Sequence, residues 1–363
     1  MKKIIFVHLL NDFSGSPKVL SQVIKTVKDK GFDIELFTGK GAAGFLTNLT
    51  KKHSFYFYKR FDNKYGTLFS FLASQIHLFF KILKLRNADV TIYVNTLLPF
   101  GAALAGKFIK KEVIYHIHET SIRPQLLKKF LRWCVQKTAS KIIFVSNSLR
   151  EEEKFENSKE YIIYNALSNN FLNEARKNAF SPFVENQQFK VLMICSLRLY
   201  KGIHEFVEIA KKCEDHKNIA FQLILNAEPN EVDAFLKQIE CPFNVAVLSK
   251  QKNIDPFYKE VGLVLNLSRI DEWVETFGLT IIEAMANGIP VIVPPVGGPA
   301  EIVNEGIEGY LISSYNTDLI SAKIIELSKS PELWTTFSKN AKLRANNFNE
   351  EIFEEKILNC IYE

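Results

Sequence analysis

The most informative stretch of the chain is ETFGLTIIEAMANGIPVIVPPVGGPAE, which runs from Glu275 to Glu301. Two carboxylates, Glu275 and Glu283, flank the predicted start of a helix, and an apolar strand and the pair Gly297-Gly298 follow. A helix N-terminus presents unpaired N–H groups and the positive end of a dipole, which suit a phosphate. A carboxylate one to two turns further along can accept hydrogen bonds from sugar hydroxyls. The stretch predicts a pocket for a nucleoside-diphosphate sugar, whereas two glutamates alone are more typical of an exposed helical face.

Around this stretch, apolar strands and amphipathic helices alternate along the whole chain of 363 residues. Such β-α-β units predict parallel sheets with helices on both faces. We therefore expect an α/β fold with two Rossmann-like, doubly wound domains that face each other across a cleft. The predicted divisions are a first domain at residues 1–170, a linker without clear periodicity at 171–188, a second domain at 189–345 and a last segment, largely helical, at 346–363.

The composition is that of a globular protein in a reducing compartment. Hydrophobic residues make up 47% of the chain and charged residues 24%, which argues against disorder. The five cysteines are scattered without a CxxC pair, so we expect free thiols and a cytoplasmic location. Cysteines and histidines show no metal-ligand spacing. The apolar N-terminus is interrupted at Asn11 and Asp12, which favours a first strand over a signal peptide.

The stretch from Glu275 to Glu301 resembles the donor-site signature of the family-four retaining glycosyltransferases (glycosyl transferases group 1), which have the GT-B fold. The resemblance implies that Glu283 binds the ribose hydroxyls of the donor. It implies that Glu275 orients the donor sugar and stabilises positive charge near the anomeric carbon. The backbone N–H groups of Phe277, Gly278 and Leu279 are expected to face the phosphates. In this fold the C-terminal helix packs back on the first domain.

Two cations follow the first strand of the second half, in the sequence SLRLYKG. A loop at a strand end is a place where Arg198 and Lys201 could neutralise a diphosphate, with arginine as a fork and lysine as a point charge. An isolated Arg and Lys after a strand are more often solvated surface. The family has an Arg and a Lys before a Gly here, so we assign both residues to the leaving diphosphate.

In the first half, the resemblance points to two further places. The family usually has adjacent glycines after the first strand, where this chain has Gly15 followed by Ser16, and we expect these residues to contact the donor. The sequence YHIHE contains His116 and His118, and the alignment favours His118 as the histidine near the transferred sugar. A structural histidine and a metal ligand are the alternatives for His118.

The charge is unevenly distributed. Residues 1–170 carry 27 basic and 13 acidic side chains, a net charge of +14, whereas the remainder carries 19 and 27, a net charge of −8. Residues 51–60 interleave aromatic and basic side chains, and residues 65–86 have an apolar helical pattern that ends in cations. This pattern is typical either of contact with an anionic membrane surface or of a core helix. In the second case the buried face consists of Phe69, Leu72, Ile76, Phe79 and Leu83.

The resemblance implies an enzyme that moves a sugar, with retention, from a nucleoside-diphosphate sugar to an acceptor hydroxyl. The acceptor is expected to be a sugar or a lipid-linked molecule of bacterial polysaccharide or glycolipid biosynthesis. We expect no cofactor, no metal and no nucleic acid partner, and a peripheral place at the inner face of the plasma membrane. The alternatives are a GT-B sugar-nucleotide epimerase and a catalytically inactive nucleotide-sugar-binding protein.

Overall fold

The computed structural model describes residues 3–41, 43–156, 158–183 and 187–363. The chain divides into two compact units, of which unit 1 contains residues 1–165 and 351–363 and unit 2 contains residues 166–350. Each unit is an α/β layer structure with one parallel sheet. Residues 184–186 of the expected linker lie outside the described residues.

Unit 1 is built on a seven-stranded sheet in which every pair of neighbours is parallel. Its strands are β1 (Lys3–His8), β2 (Asp33–Gly39), β3 (His53–Tyr56), β4 (Val90–Asn95), β5 (Glu112–Ile117), β6 (Lys141–Phe144) and β7 (Lys159–Ile162). The order across the sheet is β3-β2-β1-β4-β5-β6-β7. The central strands are buried on both faces, because helices cover the sheet from both sides, and this accounts for their continuous apolar sequences.

The helices of unit 1 that precede residue 165 are α1 (Gly15–Asp29), α2 (Lys64–Leu83), α3 (Phe100–Phe108), α4 (Gln125–Thr138) and α5 (Asn147–Glu153). Among the described residues, α2 alone is long and apolar enough to cross a membrane by length and composition. About a third of its most apolar part is buried in the structure, and one helix of this kind is weak evidence for a membrane span.

The orientation of α2 corrects the predicted core face. The side chains of Phe69, Leu72 and Ile76 are exposed, whereas a mixed set of polar and apolar residues faces the interior. The buried residues of α2 are Ser70, Phe71, Ser74, Gln75, Leu78 and Ile82.

The physical reason for this orientation is the close approach of α2 to α3. A Cβ at Gly101 of α3 would lie 2.2 Å from the carbonyl oxygen of Gln75. The Gln75 side chain in turn accepts a hydrogen bond of 3.1 Å from the backbone N–H of Gly101. Ser70 accepts one of 2.9 Å from the N–H of Lys59. Gln75 and its neighbouring serines are therefore buried together with Phe71, Leu78 and Ile82, and the predicted residues Phe69, Leu72 and Ile76 are exposed.

Unit 2 contains a six-stranded parallel sheet in the order β10-β9-β8-β11-β12-β13. Its strands are β8 (Phe189–Cys195), β9 (Ile219–Leu225), β10 (Val245–Leu248), β11 (Leu263–Leu265), β12 (Val291–Val293) and β13 (Gly309–Leu311). Its helices are α6 (Asn169–Arg176), α7 (Ile203–Lys212), α8 (Pro229–Leu236), α9 (Leu279–Ala286), α10 (Pro299–Ile302), α11 (Thr317–Lys329) and α12 (Pro331–Ala345). Helix α6 lies where the sequence predicted a stretch without periodicity; only Leu172 and Ala175 of its eight residues are buried, which gives little pattern.

The last helix, α13 (Glu350–Tyr362), belongs to unit 1 from Glu351 onward. The Thr26 hydroxyl donates to Glu354 at 3.3 Å, and the rings of Phe32 and Tyr362 are 5.6 Å apart. Beyond the helix, Glu363 accepts a hydrogen bond of 2.7 Å from the Tyr161 hydroxyl.

In both sheets the strand order reverses once near the middle, between β1 and β4 in unit 1 and between β8 and β11 in unit 2. Ligands of doubly wound sheets bind outside the carboxyl ends of the strands at such a reversal. The loops that follow these four strands are therefore where a site is expected in each unit.

Candidate functional site

In unit 2, the loop after β8 is held against the end of β11 by a glycine. Gly202 has a φ of +80°, and a Cβ there would lie 2.2 Å from the carbonyl oxygen of Leu267. Only glycine allows this approach in this conformation. The contact brings the short 3₁₀ turn Leu199–Lys201 beside the loop that leads from β11 to Glu275.

Lys201 and Glu275 form an ion pair at this place. The Lys201 Nζ lies 2.6 Å from Glu275 Oε2, and the two side chains are 17% and 19% exposed. Ser268 Oγ lies 3.5 Å from both groups. Burial acts to raise the pKa of Glu275, but the charge of Lys201 and the hydrogen bonds from Lys201 and Ser268 outweigh it, so the pKa lies below its usual value. The carboxylate is therefore ionised at neutral pH.

Two aromatic rings support the lysine. Tyr200 and Trp273 are stacked, with ring centroids 4.9 Å apart and an angle of 13° between the planes. The Lys201 Nζ lies 5.5 Å from the centroid of Trp273 and 5.9 Å from that of Tyr200. Ammonium groups at this distance are attracted by the ring faces. Nothing in the sequence marks either ring, because the two rings belong to loops that are 73 residues apart.

Arg198 is placed differently from Lys201. It is exposed, and its guanidinium forms no hydrogen bond or ion pair with any other residue that the structure describes. Its backbone N–H donates to the carbonyl of Ser196 at 2.7 Å, which fixes the loop but not the side chain. The structure thus places Lys201 next to Glu275 and leaves the Arg198 guanidinium in solvent.

The pair Gly297-Gly298 packs on the backbone between Glu275 and Gly278. The N–H of Gly298 donates to the carbonyl of Glu275 at 2.9 Å, and a Cβ at Gly298 would lie 2.4 Å from the Cα of Phe277. Gly278 has a φ of +107° and is the residue before α9, which begins at Leu279. The predicted phosphate-binding backbone therefore does form the start of a helix, and the glycine turn holds it.

Glu283 lies on α9 and is nearly fully buried, with 2% of its surface exposed. The hydroxyl of Tyr258 donates to its Oε2 at 2.9 Å. Tyr258 itself is fully buried in a short 3₁₀ turn that precedes β11. Nothing in the sequence near residue 258 marks this tyrosine as the partner of Glu283, which lies 25 residues further along the chain.

In unit 1, Gly15 and Ser16 are the first two residues of α1. The Asp12 carboxylate accepts a hydrogen bond of 3.0 Å from the N–H of Ser14, the residue before the helix. Gly15 is exposed. A helix N-terminus at this position can still present N–H groups to an anion.

His118 follows the end of β5 and is held by Asn95 at the end of β4. The His118 Nε2 lies 2.9 Å from Asn95 Oδ1, and the rings of His116 and His118 are 4.1 Å apart. Burial, followed by the neighbouring His116 and His8, places the pKa of His118 well below its usual value, so the ring is neutral at pH 7. His116 is fully buried, and its Nδ1 lies 2.8 Å from the Tyr93 hydroxyl, which makes it a structural histidine. Within the described ranges no group of three or more His, Cys, Asp or Glu side chains could hold a metal ion.

Residues 174–344, which make up most of unit 2, match the family described as Glycosyl transferases group 1. The chain carries a group 1 glycosyltransferase domain. The two Rossmann-like units have the GT-B fold, as the sequence predicted: the structure of Anabaena Alr3699/HepE in complex with UDP-glucose superposes over all of both chains with a TM-score of 0.79 at 20% identity.

Two curated relatives extend the comparison. N-acetyl-alpha-D-glucosaminyl L-malate synthase of Bacillus anthracis is 25% identical over 99% of this chain and 95% of its own length. Sucrose synthase 2 of Zea mays is 26% identical over 44% of this chain. The match spans only 20% of the length of the maize protein.

Proposed function

We propose that this group 1 glycosyltransferase transfers a sugar from a nucleoside-diphosphate sugar to an acceptor hydroxyl with retention at the anomeric carbon. The observation that carries the proposal is the mostly buried Lys201–Glu275 ion pair beside the start of α9. Cation, carboxylate and helix N-terminus are the three groups that a departing diphosphate and an oxocarbenium-like sugar require. HepE was solved with UDP-glucose, which makes uridine donors the first candidates.

In this proposal Lys201 and the backbone N–H groups of Phe277, Gly278 and Leu279 stabilise the diphosphate as its bond to the sugar breaks. The solvent-exposed Arg198 adds a second cation when the donor binds. Glu275 orients the sugar and stabilises positive charge at the anomeric carbon. His118 contacts a sugar hydroxyl, and Gly15 and Ser16 face the donor. Because the diphosphate gains charge as it leaves, interactions with Lys201 act mainly on turnover. We propose that no metal or other cofactor takes part.

The decisive experiment combines a donor panel with matched variants. Uridine and guanosine diphosphate sugars are scored by thermal shift, and the best donor is then tested for nucleoside-diphosphate release with acceptor extracts, in the presence and absence of EDTA. We expect Lys201→Ala to lower kcat by at least a hundredfold, since removal of one donor from a charge-stabilising site costs about 10²–10³. The matched control is Lys190→Ala: Lys190 also belongs to the β8 region and pairs with Glu260 at 2.7 Å, but it is at the other end of the strand.

The outcomes separate the alternatives. Equal turnover in Lys201→Ala and Lys190→Ala would overturn the role of Lys201. A sugar nucleotide that is interconverted without acceptor would indicate an epimerase, and thermal shift without any turnover would indicate a binding protein. The anomeric configuration of the product, read by NMR, decides whether the sugar is retained or inverted.

We further propose that the enzyme works at the cytoplasmic face of a bacterial membrane, on a polysaccharide or lipid-linked acceptor. The supporting observation is a stripe of exposed apolar side chains on α2 together with Phe108 of α3, which we name the α2–α3 face. Tyr65 is 87% exposed, Phe69 is 75% exposed and Phe108 is 73% exposed. The other members are Leu72, Ile76 and Phe80.

The charge around the α2–α3 face suits an anionic lipid surface. Helices α2 and α3 contain no acidic residue. Lys84 and Arg86, which follow α2, and Lys107, near the end of α3, are exposed. Part of the basic segment at residues 51–60 is already neutralised, because Lys52 lies 3.2 Å from Asp33. The apolar side chains are therefore expected to supply most of the binding free energy and the cations the preference for anionic lipid.

Flotation with vesicles tests this face. We expect Phe69→Gln/Ile76→Gln to reduce binding to vesicles that contain phosphatidylglycerol by at least thirtyfold, since each buried aromatic or aliphatic side chain contributes about 1.5–3 kcal/mol. The control is Phe243→Gln/Leu343→Gln, which removes two comparably exposed apolar side chains from unit 2. Equal loss in both double variants, or equal recovery of wild type with and without anionic lipid, would contradict the proposal.

A further inference from the structure

One buried side chain in unit 1 joins two of the predicted donor-binding elements. Asn95, the last residue of β4, is fully buried. Its Oδ1 lies 2.9 Å from His118 Nε2, at the end of β5, and its Nδ2 lies 3.3 Å from the carbonyl oxygen of Ser16, at the start of α1. A single amide therefore bridges the segment that carries Gly15 and Ser16 and the segment that carries His118.

The chemistry of these contacts fixes the orientation of the amide. The Ser16 carbonyl can only accept a hydrogen bond, so the group of Asn95 that faces it must be the NH₂. The group that faces His118 is then the carbonyl oxygen, which can only accept. His118 Nε2 must therefore carry a hydrogen. In a neutral imidazole the other nitrogen, Nδ1, has no hydrogen and is an acceptor.

His8, the last residue of β1, contacts the same asparagine. Its Nδ1 lies 3.2 Å from the backbone carbonyl oxygen of Asn95 and 3.2 Å from the side-chain Nδ2 of the same residue. Burial lowers the pKa of His8 to about 4, so the ring is neutral at pH 7. The strands β1, β4 and β5 are neighbours in the sheet, so His8, Asn95 and His118 form one connected row at their carboxyl ends.

We propose that Asn95 is a positioning residue that holds His118 as the neutral Nε2–H tautomer and so presents Nδ1 as an acceptor for a hydroxyl of the donor sugar. The inference rests on the proposed function, since it deepens the role assigned to His118. A fixed tautomer matters because the opposite one would present an N–H at Nδ1. A ring with a hydrogen on Nδ1 would donate a hydrogen bond to that hydroxyl, so the hydroxyl proton would have to point away from the ring.

The charged and titratable groups around the ring favour its neutral form. His116 and His8 are the neighbouring bases, and Tyr93 contributes an uncharged hydroxyl to His116. Among the acids, Asp12 acts on His8, and burial raises the pKa of Glu119 to about 7. Asn95 itself carries no charge. An aspartate at this position would place a negative charge beside Nε2 and would also face the Ser16 carbonyl with an oxygen.

The test uses the full-length protein labelled with ¹⁵N-histidine, in three forms: wild type, Asn95→Asp and the control Asn165→Asp. Asn165 is another buried asparagine of unit 1, so its variant measures the general effect of a buried carboxylate. In wild type we expect the His118 ring to show an unprotonated Nδ1 and a protonated Nε2 at neutral pH. In Asn95→Asp we expect the pKa of His118 to rise and the ring to be cationic at neutral pH.

The kinetic expectation is specific to positioning. In Asn95→Asp the donor KM rises roughly five- to tenfold at neutral pH, as for one lost hydrogen bond. It recovers at higher pH, where the imidazolium loses its proton. A structural defect alone would not recover with pH, and Asn165→Asp should show no such recovery.

A protonated Nδ1 in wild-type His118 would overturn the proposal, and this measurement needs no variant that has to fold. A pH profile of donor KM that is the same in Asn95→Asp and wild type would overturn it as well. The NMR readout needs no substrate. Absence of sugar transfer by wild type would therefore count against the proposed function and leave the tautomer assignment standing.

Discussion

At the scale of single residues, the candidate donor site of unit 2 depends on carboxylates that are buried together with a partner. Glu275 has Lys201, and Glu283 has the hydroxyl of Tyr258. A carboxylate removed from water needs such partners, since an unpaired buried charge is costly. The partners also hold the oxygens in place before a ligand arrives, which is the arrangement that a binding site for hydroxyl groups requires.

The role of Glu283 can be tested with nucleotides that lack the groups it is proposed to bind. We expect Glu283→Gln to weaken the affinity for UDP by roughly tenfold or more, because a hydrogen bond to a charged group contributes about 1.5–3 kcal/mol. The affinity for 2′,3′-dideoxy-UDP should change little. Titration calorimetry with both nucleotides measures the difference. Glu301→Gln, in the short helix α10, is the control, and an equal loss for both nucleotides in Glu283→Gln would remove the ribose assignment.

The sequence identified the residues of the site by their type and by their place at the ends of predicted strands. It could not identify their partners. Tyr258, Trp273 and Asn95 act through residues that lie far along the chain, and each of them is of a type that also occurs throughout ordinary cores. Only the strand order brings them next to Glu283, Lys201 and His118. Sequence spacing carries no information on such pairs, because they belong to different β-α units.

At the scale of elements, the donor site depends on a tight turn as much as on a helix. Gly297 has a φ of +76°, and a Cβ there would lie 2.4 Å from the carbonyl oxygen of Glu275. The turn thus packs directly against the backbone of the segment from Glu275 to Gly278. A side chain at Gly297 would have to displace the backbone of Glu275 itself.

A matched pair of glycine variants separates backbone strain from displacement of the site. Gly306 has a φ of +72°, almost the same as Gly297, but a Cβ there would meet nothing within 4 Å. Both Gly297→Ala and Gly306→Ala should lower the free energy of unfolding by about 1 kcal/mol, because alanine is disfavoured in the left-handed conformation that both positions have. Only Gly297→Ala should also lower kcat, by tenfold or more. Urea denaturation and steady-state kinetics measure the two effects, and equal kcat in both variants would show that the turn does not position Glu275.

The strands that the sequence did not predict lie at the edges of the sheets. Strands β3 and β7 are the two edge strands of unit 1, and β13 is an edge strand of unit 2. An edge strand is covered less completely than a central one and therefore lacks the continuous apolar run that marks a parallel strand. Helix α2 was predicted within a few residues, but its buried face was not, because small and polar residues mediate its contact with α3.

At the scale of the whole molecule, the two units differ in how their interiors respond to pH. Unit 1 buries a cluster of titratable side chains at the ends of β1 and β5. Burial lowers the pKa of His8 to about 4 and that of His116 to about 3, and it lowers the pKa of His118 as well. Burial acts in the opposite way on Glu119, whose pKa it raises to about 7. Strands β8 and β11 of unit 2 contain no histidine.

The cluster predicts that unit 1 loses stability as the pH falls from about 6.5 to about 5. In this window the unfolded chain protonates three histidines, whose ordinary pKa is about 6.5, while the folded unit keeps them neutral. Glu119 opposes this, since the folded unit holds its proton below about pH 7 and the unfolded chain only below about 4.5. The net difference is up to about two protons more in the unfolded chain. The free energy of unfolding should therefore fall by as much as roughly 2–3 kcal/mol per pH unit.

Hydrogen exchange followed by mass spectrometry can read this loss in unit 1 alone, because protection in a strand reports on the opening of its own unit. After correction for the intrinsic effect of pH on exchange, peptides from β1, β4 and β5 should lose protection between about pH 6.5 and 5. Peptides from β8 and β11 should lose much less. His116→Gln should reduce the dependence by about one proton, since glutamine does not titrate. Protection of β1, β4 and β5 that is flat across the window, or that falls in parallel with β8 and β11, would contradict a pH response seated in the histidine cluster.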